Sequence, residues 1–195
     1  MNNRDIIKLS AIVPIQAQFC RSARIDLDEF SEANFVYSNT IDRFLNTLAD
    51  HQGSETKQGA YTWTGPYGSG KSTLALSLLN VLQGTDRQRS AATKSYPELT
   101  KQKLLTAFNA EHKTWETITI VGERVSLFEL IKKACLENGI SEVADAQSGT
   151  ELVSVIERYC KNLKEQAGLI IFLDEMGKLL EYAVSNHSED NYLYQ

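Results

Sequence analysis

Residues 65–72 have the sequence Gly-Pro-Tyr-Gly-Ser-Gly-Lys-Ser, which fits the pattern G-x-x-x-x-G-K-[ST] at every position. Glycines let successive backbone N–H groups turn towards an anion, where a Cβ would collide with it. A helix that begins directly after the loop adds its N-terminal dipole and its free N–H groups. In this pattern Lys71 reaches the β- and γ-phosphates of a nucleotide, and the hydroxyl of Ser72 coordinates Mg²⁺. The sequence therefore predicts a nucleoside triphosphate site formed by Gly65, Pro66, Tyr67, Gly68, Ser69, Gly70, Lys71, Ser72 and Thr73.

Two adjacent carboxylates, Asp174 and Glu175, follow the apolar run at residues 168–173. Such a run predicts a central parallel strand that is buried on both faces, and ligands of open α/β sheets bind at the carboxyl ends of the strands. We expect Asp174 to hold Mg²⁺, directly or through water. We expect Glu175 to orient and deprotonate the water that attacks the γ-phosphate, so Glu175 and Lys71 are the candidate catalytic residues. Alternatively, the two acids only stabilise the N-terminus of the next helix, residues 176–183.

The elements that must position these groups can be predicted from propensity and periodicity. Residues 60–64 are β-branched and aromatic and predict a strand that leads into the loop, whereas the leucine spacing of residues 72–82 predicts a helix after it. Polar residues 84–94 predict a loop, and residues 117–121 predict a second strand. Capping boxes predict three further helices, which start after Ser95, Ser126 and Ser148.

Upstream of the loop, residues 40–51 have helical spacing, and the alternation around Ile25 and Leu27 is typical of a short strand or an extended arm. Strands that alternate with helices specify a parallel sheet covered by helices. The fold class predicted from the sequence is therefore α/β, with a parallel sheet and helices on both of its faces.

The two motifs together resemble the Walker A and Walker B pair of P-loop NTPases. The glutamate after the Walker B aspartate is similar to that of the catalytic-glutamate division, which includes the AAA+, STAND, ABC and RecA-like proteins. Residues 174–183 also resemble the segment after Walker B in large bacterial ATP-binding proteins. This resemblance implies ATP as the substrate, Mg²⁺ as the cofactor, and assembly into rings or clusters, including homo-oligomers. It also implies that residues 1–58, an arm and a helix, contribute to the nucleotide pocket.

In the resembled family a further strand with a polar sensor residue lies between the Walker A and Walker B strands, and another strand flanks Walker A. The chain has 21 residues after Asp174, which is too few for either strand. We therefore expect residues 59–195 to be a P-loop NTPase core that is truncated after the Walker B strand and its helix, with the missing C-terminal part supplied by a larger protein. A gap between the two motif strands would leave backbone groups unpaired.

Two other functions remain open from the sequence. In the kinase and GTPase division the two motif strands are direct neighbours, which would suit a smaller sheet, but residues 117–121 and Glu175 argue against that division, and no N-K-x-D segment is present. The chain could also be a regulatory or interaction module that binds nucleotide without turnover. As an ATPase, it would serve as the motor or the signalling switch of a larger protein.

Composition limits the remaining possibilities. Hydrophobic residues make up 42% of the chain, which is typical of a globular protein, and the net charge of −5 gives no indication of a nucleic-acid surface. Basic residues at positions 87–103 are interspersed with acids, which favours a solvated surface. The sequence has no apolar run long enough for a membrane span or a signal peptide, and its three cysteines lack metal-site spacing. We therefore expect a cytoplasmic protein.

Overall fold

The computed structural model describes residues 23–32, 35–53, 59–186 and 193. In chain order its elements are α1 (Asn39–Gly53), α2 (Lys71–Gln83), α3 (Asp86–Thr93), α4 (Glu98–Phe108), β1 (Glu116–Val121), α5 (Leu127–Glu137), a 3₁₀-helix (Ser141–Asp145), α6 (Gly149–Asn162), β2 (Leu169–Asp174) and α7 (Met176–Asn186). The predicted α/β class is confirmed at this level, because helices and two strands alternate from α4 onwards.

The described residues form one sheet, in which β1 and β2 are parallel neighbours. Glu116 pairs with Leu169 and Val121 pairs with Asp174, so both strands end at the same edge. The carboxyl end of β2 is therefore aligned with the turn that follows β1, as parallel strands require.

Helices cover both faces of this sheet, as predicted. Side chains alternate between the faces along a strand. Ile170 and Phe172 of β2 pack against one core cluster, which α1, α2 and α4 build. Leu169, Ile171 and Leu173 pack against the other cluster, to which α5, α6 and α7 contribute.

Local capping explains where two of the predicted helices begin. The hydroxyl of Ser126 accepts the backbone N–H of Glu129 at the start of α5, and Ser148 accepts the N–H of Glu151 in the same way at the start of α6. The helix predicted after Ser95 also exists, but it begins later, with Pro97 at the N-cap and no side-chain cap. The capping box assigned to Ser95 is therefore wrong, although its helix is present.

The prediction of a loop over residues 84–94 is also wrong, because α3 lies there. Its N-cap is Thr85, and the side chains of Thr85 and Gln88 form a reciprocal capping box. The guanidinium of Arg89 further ties the helix to the end of α2, since it donates to the carbonyls of Val81 and Gly84. Side-chain capping and these contacts compensate for the few apolar residues of α3.

The strand predicted at residues 60–64 is not formed, because this segment joins neither β1 nor β2. A strand exists only with a neighbour that satisfies its backbone groups. β2 is predicted to be buried on both faces, but each of its residues is only partly buried. Among the described residues only one of its edges is covered by a neighbouring strand, β1. The alternation at Ile25 and Leu27 is not a strand either: Leu27 donates its N–H to the carbonyl of Arg24 in a turn that buries Ile25.

Two findings concern membrane-spanning helices and the cysteines. No helix within the described ranges is both long and apolar enough to cross a membrane. Cys135 and Cys160 are free thiols, and Cys20 lies outside the described residues.

Candidate nucleotide-binding site

The loop at residues 65–70 turns into α2 through two glycines in the left-handed region. Gly68 has a φ of 75° and Gly70 a φ of 82°, values that an L-residue with a side chain adopts only with strain. Gly70 is the N-cap of α2, and the first N–H to reach back into the helix is that of Leu74, which donates to the Gly70 carbonyl at 2.9 Å. The N–H groups of the first turn, at positions 71–73, therefore have no acceptor within the helix. Free backbone N–H groups at the start of a helix are an arrangement that binds phosphate.

The side chain of Lys71 folds back over this loop. Its Nζ donates to the carbonyl oxygens of Gly65, at 2.9 Å, and Pro66, at 3.1 Å, and it lies 3.5 Å from Oγ of Ser69. The ammonium group is thus held directly above the loop by neutral acceptors. An anionic ligand would compete with those neutral acceptors, because it adds the Coulomb attraction between two opposite full charges.

Ser72 and Asp174 meet across the two motifs. Ser72 Oγ donates to Oδ2 of Asp174 at 2.7 Å, while Oδ1 of Asp174 accepts the backbone N–H of Glu175 at 2.9 Å. The start of α2 and the end of β2 are therefore in direct contact.

This pair of oxygens fits a magnesium ion. Mg²⁺ takes octahedral oxygen ligands at 2.0–2.1 Å, so two adjacent ligands lie about 3 Å apart, close to the observed separation of Ser72 Oγ and Asp174 Oδ2. Mg²⁺ also uses only one or two protein oxygens and completes its shell with water and phosphate. Larger clusters of His, Cys, Asp and Glu suitable for a metal are not found in the described part of the chain. The donor set therefore suits Mg²⁺ bound together with a phosphate ligand.

Glu175 has an unusual backbone conformation. Its φ is 55°, in the left-handed region that non-glycine residues rarely adopt. Gly122, directly after β1, explains how this turn is accommodated: its N–H donates to the carbonyl of Asp174 at 2.8 Å, and a Cβ at position 122 would lie 2.5 Å from the carbonyl oxygen of Glu175. The close approach of the two turns thus requires glycine at 122. Backbone strain of this kind is concentrated at functional sites.

Charged side chains surround Glu175. Its carboxylate forms an ion pair with the ammonium of Lys178, one turn along α7. This contact raises the pKa of Lys178, so the lysine is charged at neutral pH. Arg24, in the segment before α1, forms a bidentate pair with Asp26 and lies within electrostatic range of Glu175.

An open cleft of about 2350 Å³ connects these groups. Of the predicted site residues, Tyr67, Gly68, Ser69, Gly70, Lys71, Ser72, Thr73, Asp174 and Glu175 line it. Gly65 and Pro66 do not, and they contribute the carbonyls that hold Lys71. The arm expected to help form the pocket lines the cleft through Arg24, Ile25 and Asp26, and residues 1–22 lie outside the described residues.

Sequence reasoning missed two contributors, Gly122 and Lys178. A glycine directly after a predicted strand is a recognisable signal for a close backbone approach, but its neighbour cannot be read from the sequence. Lys178 could have been found from its spacing, since residues three apart on a helix are neighbours.

No family model, curated protein or solved structure matches the chain. The geometry of the loop, Ser72, Asp174 and Glu175 is therefore the basis on which a function is assigned.

Proposed function

We propose that the chain is the nucleotide-binding part of a Mg²⁺-dependent P-loop ATPase of the catalytic-glutamate division. The observation that carries this proposal is the 2.7 Å hydrogen bond between Ser72 Oγ and Asp174 Oδ2, which joins the predicted phosphate loop to the predicted metal-binding acid. Chance resemblance of either motif alone would not bring these two oxygens together.

Each side chain has a defined part in the proposed reaction. Lys71 would exchange the carbonyls of Gly65 and Pro66 for phosphate oxygens, and the N–H groups at 71–73 would bind the same anion. Ser72 and Asp174 would hold Mg²⁺, which would neutralise phosphate charge when bound. Glu175 would accept a proton from the attacking water, and the γ-phosphoryl group would pass to that water, giving ADP and inorganic phosphate.

The arrangement of the sheet favours this division over kinases and GTPases. The segment before the loop, residues 59–64, lines the same cleft as β2 but is not paired with it. A direct pairing of the two motif strands would be expected in a kinase or a GTPase. The unpaired edge of β2 among the described residues also supports the proposal that this core belongs to a larger ATPase. As part of the same proposal, that ATPase is a cytoplasmic motor or signalling switch that assembles with other copies.

A second candidate is a nucleotide-binding switch that does not turn over. The ion pair between Lys178 and Glu175 favours it, because a carboxylate held by an ammonium group is not free to accept a proton from water. The two candidates share the binding site and differ only in whether Glu175 becomes free.

The proposal is tested by calorimetric titration of the chain with ATP and Mg²⁺. Lys71→Ala should abolish binding, whereas Lys161→Ala, an exposed lysine on α6, should leave it unchanged. Glu175→Gln should retain ATP binding, and a loss of phosphate release in this variant would identify the ATPase rather than the switch. Equal ATP affinity of the Lys71→Ala variant and the unsubstituted chain would overturn the proposal. Competition between ATP and GTP identifies the base.

A further inference from the structure

Lys178 lies in the first turn of α7, three residues after Glu175, and its Nζ pairs with Oε2 of that carboxylate. Both side chains are about half exposed, at 51% and 40%, so neither is locked by packing. Lysine has a flexible four-carbon stem, and its ammonium can change partners without movement of the backbone. Tyr67 of the loop also contributes to the raised pKa of Lys178, so the lysine is within electrostatic range of the loop.

The charges of the proposed complex call for a second cation. A Mg²⁺-bound triphosphate still carries net negative charge, and Asp174 and Glu175 add to it, whereas Lys71 supplies a single positive charge. Two nearby arginines are held by other acids: Arg24 by Asp26, at 2.5 Å, and Arg124 by Glu181, at 3.1 Å. Lys178, by contrast, is paired with the carboxylate that the proposed reaction needs in a free state.

We propose that Lys178 is a specificity-determining residue that moves from Glu175 to the terminal phosphate and thereby distinguishes ATP from ADP. This inference rests on the proposed function and assigns to it a residue outside both motifs. The γ-phosphate carries more charge than one carboxylate and competes for the ammonium, and ADP has no group at that position. Departure of the ammonium leaves the Glu175 carboxylate free to accept the proton of the attacking water only when ATP is bound.

The experiment compares the affinities of the full chain for a non-hydrolysable ATP analogue and for ADP, both with Mg²⁺, by calorimetry. Lys178→Gln removes the charge and keeps similar length, and Lys178→Arg restores the charge. Lys103→Gln is the matched control, because it removes the charge of a lysine from another ion pair, with Asp50, outside the cleft, and leaves Glu175 and Lys178 paired. Thermal unfolding of each variant verifies that it is folded.

We expect Lys178→Gln to lose about 10-fold in affinity for the ATP analogue and to bind ADP within about 2-fold of the unsubstituted chain. Lys178→Arg should recover most of the loss, and Lys103→Gln should change neither affinity. An unchanged ratio of the two affinities in Lys178→Gln, with binding that still depends on Lys71, would overturn the role of Lys178 alone. Absence of nucleotide binding by the unsubstituted chain would overturn the proposed function together with it.

Discussion

The hydroxyl of Ser72 donates to Oδ2 of Asp174 at 2.7 Å, although 102 positions separate the two residues. One lies in the first turn of α2 and the other is the last residue of β2. The second oxygen of Asp174 accepts the N–H of Glu175, so a single carboxylate links the start of α2, the end of β2 and the strained turn.

Gly122 is predicted to be intolerant of even a methyl group. A Cβ at this position would lie 2.5 Å from the carbonyl oxygen of Glu175, and because that atom belongs to the backbone the turn itself must shift. Gly122→Ala should lower the free energy of unfolding by about 1–3 kcal/mol, measured by urea denaturation. Gly177 in α7 is the control, since a Cβ there meets nothing within 4 Å. Gly177→Ala should raise stability by about 0.5–1 kcal/mol, and similar stabilities of the two variants would contradict the close approach.

The positive φ of Glu175 predicts a preference for glycine over alanine at this position. Both substitutions remove the carboxylate and its ion pair with Lys178, so their difference isolates the backbone conformation. Glu175→Gly should unfold at a higher urea concentration than Glu175→Ala, with a difference of about 1 kcal/mol in the free energy of unfolding. An alanine variant as stable as the glycine variant would show that residue 175 has an ordinary backbone conformation.

Amide hydrogen exchange should distinguish the edge of β2 that pairs with β1 from its opposite edge. The bonds from Glu116 N–H to the Gly168 carbonyl and from Gly122 N–H to the Asp174 carbonyl fix the parallel pattern, in which Phe172 donates to β1. The N–H groups of Ile171 and Leu173 point to the other edge, where no strand of the described residues pairs with them. NMR should therefore find the Phe172 amide protected at least about 10-fold more than those two. Equal protection would mean that a further strand covers this edge.

Alkaline pH should destabilise the protein partly through Cys135. Burial in the core beside β1 raises the pKa of this thiol from 9.0 to about 11. Between these values the unfolded chain has lost the proton and the folded chain has kept it, so the free energy of unfolding falls as the pH rises from about 9 to about 11. Cys135→Ala should show a shallower fall over this range in urea titrations. Tyrosines that titrate higher, such as Tyr96 with a pKa of about 12, are present in both proteins and cancel in the difference. Identical slopes would contradict a protonated, buried Cys135.

The elements that the sequence predicts well are those with strong local signals. Ser126 and Ser148 cap α5 and α6 as expected. The alternating segment at residues 117–121 and the apolar run before Asp174 form the strands β1 and β2. The sequence also predicted that Ser72 and Asp174 serve one metal site. Their side chains are in contact, and the metal site itself stays a prediction.

The features that the sequence did not predict depend on tertiary neighbours. Residues 60–64 have strand propensity but no partner strand among the residues that the structure describes, and propensity cannot supply one. α3 is polar, so its helix was missed even though Thr85 and Gln88 carry a capping signal. The contact of Gly122 with the Glu175 turn brings together residues that are distant in sequence, and nothing at either position specifies the other.

The central claim is that Ser72 and Asp174 together hold the Mg²⁺ of a bound triphosphate. The most direct test is a double-mutant cycle with Ser72→Ala and Asp174→Asn, in which the ratio of ATP affinity with Mg²⁺ to ATP affinity in EDTA is measured by calorimetry. The unsubstituted chain should bind ATP more tightly with Mg²⁺, each single variant should lose most of that advantage, and the double variant should lose little more. Retention of the full Mg²⁺ dependence by either single variant would contradict the shared site.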